Sequence, residues 1–114
     1  MDAQTLSAED NKLVVLARAT RARTGAAQGA AVRDSDGRTY AGATVDLPSL
    51  RISALGVCVA MAVASGSAGA EAAVVLGDVP LDDADLAALR DFAGAGVPVH
   101  LGGPAGQIAE TRST

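Results

Sequence analysis

The chain has 114 residues, 49% of them hydrophobic but only 2% aromatic, and a formal net charge of −4 at pH 7. That length suits one domain, 1–114, and with Tyr40 and Phe92 as the only rings its core must be built from Ala, Val, Leu and Ile. The acidic balance, with a sequence pI near 4.7, and the lack of aromatic platforms for stacking bases both argue against a nucleic-acid binder.

Met1 to Asp10 is polar, with no positively charged start ahead of an apolar run. No signal peptide is read there and a cytoplasmic protein is expected. Ser7-Ala8-Glu9-Asp10 has capping-box spacing, and Leu13, Leu16 and Ala17 recur at helical intervals, predicting a helix over 8–23 that ends before Gly25. Gly29 to Arg33 and Thr39 to Val45 read as two strands of a hairpin, turned by Asp34-Ser35-Asp36-Gly37. From Leu50 to Ala64 the chain is apolar almost all round, which predicts a buried helix too short to cross a membrane, where about 20 apolar residues are needed. Ala60, Ala62 and Ala64 leave room for a neighbouring backbone. Glu71 to Gly77 reads as a short buried strand, and Asp82 to Ala93 as an amphipathic helix with Leu86, Leu89 and Phe92 or Ala93 inward. Val97 to Leu101 reads as another strand, its Pro98 suited to an edge or a strand start. A last strand is read around Gln107 to Thr111, within a stretch, 105–114, expected to be flexible like 1–7. The basic residues gather early and the acidic ones late, which reads as solvated faces. Together these elements, in the order α-β-β-α-β-α-β, predict an α/β fold with helices packed on one sheet.

Gly29-Ala30-Ala31-Val32, then Asp36 to Asp46, a small-residue helix and the strand Val74-Val75-Leu76 follow one another as in the cytidine deaminase family, which residues 8 to 103 resemble. The resemblance implies a three-layer sandwich with a mixed sheet of about five strands. It also implies a zinc site: three protein ligands holding a water, and a Glu that moves protons between that water and the base. The family's Cys or His and Glu at the start of the central helix fall on Ser53 and Leu55, and its Pro-Cys-x-x-Cys at the third helix falls on Pro80-Leu81-Asp82-Asp83-Ala84. Ser53, Leu55, Leu81 and Ala84 are therefore degenerate positions. Cys58 and His100, the sole cysteine and histidine, supply two nitrogen or sulphur ligands where three are needed. Cys58 reads as a small buried hydrophobe, His100 as a satisfied, partly exposed side chain, and Asp82, Asp83 and Asp85 as helix-capping carboxylates.

The family's ribose-binding Asn and Glu fall on Thr44 and Asp46, and its base-stacking ring falls near Ala26. No zinc, no other cofactor, no catalytic residue and no enzymatic activity are expected on this reading. The function expected instead is that of a non-catalytic family member acting through oligomerisation and protein contacts. The alternatives are a nucleoside or nucleotide sensor using Thr44 and Asp46, and a hydrolase with residual activity. The resemblance implies a homodimer or homotetramer packed through 50–64, and a ribosome-assembly GTPase as a partner. Neither nucleic acid nor membrane is expected as a partner.

Overall fold

The computed structural model describes residues 5–114. Helix α1 (Ala8–Thr24) starts where Ser7 turns its hydroxyl to accept from the Asp10 N–H, at 3.1 Å, and ends at Gly25. Strands β1 (Gln28–Asp34) and β2 (Thr39–Ala43) form the expected hairpin. Gly37 takes a φ of 86° in its turn, a backbone state that the lack of a Cβ makes easy. A second, two-stranded hairpin follows, β3 (Val45–Leu47) with β4 (Leu50–Ile52), and then α2 (Ala54–Ala64). The chain continues through β5 (Ala70–Gly77), α3 (Asp83–Ala93), β6 (Pro98–Gly102) and β7 (Ile108–Ser113).

The main sheet has five strands in the order β2-β1-β5-β6-β7, parallel only between β5 and β6. Its two faces carry separate cores. Leu13 and Ala17 of α1 pack on Ala31, Ala72, Val74 and Leu76, whereas α2 and α3 pack on Ala30, Val32, Ala73, Val75 and Val99. Strand β5 is buried on both sides, which explains its unbroken apolar run. This is the predicted three-layer α/β sandwich with its five-stranded mixed sheet. No helix among the described residues is long and apolar enough to cross a membrane.

Three boundaries differ from the sequence reading. Residues 50–52, expected to open the central helix, are a strand paired with β3, because α2 can begin only after Ser53 caps it. Residues 108–113 lie in β7, hydrogen-bonded along β6 from Pro98–Ser113 to Gly102–Ile108, so the flexible tail expected over 105–114 is instead largely a sheet edge. At the amino end Ser7 belongs to the α1 cap, and the part of the expected flexible segment covering 1–4 lies outside the described residues. Pro98 begins β6, an interior strand, so its missing N–H falls at a strand start and not on an edge.

Candidate functional site

The helices α2 and α3 begin side by side on one face of the sheet, and the four positions singled out from the sequence all lie at these two starts. Ser53, in extended conformation, caps α2: its hydroxyl accepts from the Gly56 N–H at 3.0 Å and donates to Asp85 Oδ1 at 2.7 Å. Asp82 caps α3 by accepting from the Ala84 N–H at 3.0 Å. Leu55 has no solvent exposure and sits in the core with Cys58 and Val59, while Leu81 packs against that same core. Ala84 is exposed in the first turn of α3. Beyond Leu81 a groove of about 210 Å³ runs toward the sheet edge, lined by Val79, Pro80, Leu101, Glu110 and Arg112 among others.

Thr44 and Asp46, assigned to ribose contact, lie apart in character. The Thr44 hydroxyl accepts from the Gln28 N–H at 3.0 Å and reaches the Gln28 carbonyl at 3.4 Å, so it ties the end of β2 to the start of β1. Asp46 stands on the exposed β3–β4 hairpin, 3.3 Å from Arg51. Ala26 lies between α1 and β1.

Cys58 and His100 are on opposite faces of the sheet. Cys58 is fully buried on the inner side of α2, and burial pushes its thiol up to about 12. His100 is only 6% exposed, more buried than expected, because it lies under α1: Nε2 meets Asp10 Oδ2 at 2.9 Å and Nδ1 meets Thr111 Oγ1 at 2.8 Å. Asp10 also accepts from Arg33 at 2.9 Å, and Arg33 donates to Glu71 at 2.8 Å. Burial alone would raise the Asp10 carboxyl, but the hydrogen bonds and charges of His100 and Arg33 outweigh it and hold the group below its usual range. The sequence signal for Asp10 was helix capping. Its side chain turns instead to partners up to 90 residues away, which no local pattern encodes. Asp85 was likewise read only as a cap.

A zinc ion does not fit the residues at the α2–α3 junction. Leu55, Leu81 and Ala84 carry no donor atom, and the Ser53 hydroxyl is committed on both sides. Among the described residues no group of three His, Cys, Asp or Glu side chains could hold a metal ion.

A family model for cytidine deaminase-like proteins matches residues 6–106. The fold is similar to a cytidine deaminase from Burkholderia pseudomallei at TM-score 0.77 and 20% identity, covering 96% of this chain and 92% of that one. A cytidine deaminase from Mycobacterium leprae superimposes at TM-score 0.72 and 18% identity over 94% of each chain. One from Mycobacterium tuberculosis does so at 0.70 and 21%, over 82% of this chain and 85% of that one. No protein of curated function matches the sequence. These likenesses correct one expectation, that the chain is no enzyme. The proteins sharing its fold almost end to end are cytidine deaminases, and every layer of the frame is complete. The missing donor types speak about a zinc site and are no measure of catalysis in general.

Proposed function

Because this chain belongs to the cytidine deaminase-like family, we propose that it works as an assembly of identical subunits joined along α2. The observation that supports this reading is the outer surface of that helix. Its 11 residues include no acidic or basic side chain in the first or last turn and none between. Yet Ala60 and Ala64 are exposed and Val63 is 55% exposed. A helix packed on one side only ordinarily turns charged residues outward, and an apolar outer face gains about 25 cal/mol per Å² when a partner covers it. The hairpin that leads into α2 adds exposed Leu47 and Leu50. Small side chains at 60 and 64 let a second backbone approach closely.

Light scattering on the full chain tests this. The expected mass is two or four times the 11.2 kDa of one chain. Val63→Asp, whose side chain touches water in the single subunit, should return 11.2 kDa with unchanged circular dichroism. A single-chain mass for the unmodified protein at every concentration overturns the reading.

A further inference from the structure

We propose that the hydrogen bond from Ser53 to Asp85 supplies the tie between the starts of α2 and α3 that the family resemblance assigns to zinc, so that this junction closes on a carboxylate and needs no cation. The two residues are 32 positions apart and belong to different helices, so the bond is a true cross-link between elements. Ser53 is held at both ends: it receives the Gly56 N–H of its own helix and passes its proton toward Asp85 Oδ1. Hydrogen bonds to an ionised acceptor are shorter and roughly twice as strong as neutral ones, and 2.7 Å is in their range.

The electrostatics favour an anion here. Each helix start carries the equivalent of roughly half a positive charge from its free N–H groups. Two such starts meet at this junction, and Asp85 lies in the first turn of α3 while contacting the cap of α2. That carboxylate bridges the two starts, while Asp82 caps α3 itself. Two of the other positions are closed by packing, with Leu55 wholly buried and Leu81 against the same core, and Ala84 is exposed. The serine is then no mere remnant of a lost ligand. It is the residue type that can cap one helix and donate to the next.

Thermal melting of the full chain at one fixed concentration tests the proposal, since self-association would otherwise shift the midpoint. Exhaustive chelation and added zinc should both leave the melting temperature unmoved. Ser53→Ala and Asp85→Ala should each lower it by roughly 5 °C, and the double variant by clearly less than the sum. The cap on Gly56 is lost alike with or without Asp85, so the cycle isolates the bond between the helices. Asp83→Ala, which removes a first-turn carboxylate that does not touch Ser53, should cost less than Asp85→Ala. Strict additivity of the pair, or equal losses at 83 and 85, overturns the proposal. So does one zinc per chain in fresh protein whose removal lowers the melting temperature.

Discussion

Asp34 has no solvent exposure, yet its carboxylate is among the best-satisfied groups in the molecule. Oδ1 accepts the N–H groups of Asp36 at 3.0 Å and Arg38 at 2.8 Å. Oδ2 accepts the hydroxyls of Ser67 and of Tyr40, the latter at 3.1 Å, with the Arg38 guanidinium 3.3 Å away. The Ser67 bond above all, against the opposing effect of burial, and then the two backbone bonds hold the Asp34 carboxyl at about 2, below its ordinary 3.8. A carboxyl lowered in the folded state stabilises the fold above its unfolded value and loses that contribution as the pH falls through the folded one. The urea midpoint should therefore drop as the pH falls from 3.8 toward about 2. Asp34→Asn, which keeps the shape but not the charge, should lower the midpoint at neutral pH and flatten that acid-side fall. An unchanged slope in Asp34→Asn would assign the acid sensitivity to other carboxylates.

At the level of elements, the contact of α1 with the sheet depends on one absent side chain. A Cβ on Gly29 would collide with the Ala17 carbonyl oxygen and the Arg21 Cβ, both on α1. Gly29→Ala should cost about 2 kcal/mol, the ordinary cost of overpacking, seen as a lower urea midpoint with the secondary structure kept. A wild-type midpoint would show that α1 shifts freely on the sheet. The helices and the long strands were legible because each carries its own local signal: Ser7 caps α1, Leu86 and Leu89 mark one side of α3, and β5 is apolar without a break from Ala72 to Leu76. The β3–β4 hairpin was not, because Leu50-Arg51-Ile52 adjoins an apolar helix and three residues are too few to show a period of two. Pairing with Leu47 and Asp46 of β3 is what separates Leu50 and Arg51 from α2, and that pairing is made between strands and is not encoded in hydropathy. At the junction of α2 and α3 the sequence showed which ligand types are missing. The bond from Ser53 to Asp85 became visible only once two helices met.

Across the whole molecule, one chain of polar contacts joins α1 to the far half of the sheet. Thr111 of β7, His100 of β6, Asp10 of α1, Arg33 of β1 and Glu71 of β5 follow one another at 2.8 to 2.9 Å. Asp10 can only accept, so its neighbour His100 carries the proton on Nε2, and in the neutral ring Nδ1 then accepts from Thr111. Arg33 is the cation on which two carboxylates rely, and both partners hold its proton more firmly, against the effect of burial. Its side chain and that of Asp10 are each 15% exposed, whereas Glu71 is 49% exposed and can turn to water. Arg33→Met would thus strand Asp10 more than Glu71. Exchanging a whole buried pair for apolar side chains can be neutral, but removing one partner leaves the other charge poorly solvated. With this partial exposure Arg33→Met should cost about 2 kcal/mol, and Asp10→Asn should cost less in that background than in the wild type. Urea unfolding of the two single variants and the double variant measures both quantities. If Arg33→Met proves as stable as the wild type, the network fixes the position of α1 without adding stability. Among the described residues, Nη1 of Arg33 is buried without a partner, and that nitrogen is the feature that would account for such a balance.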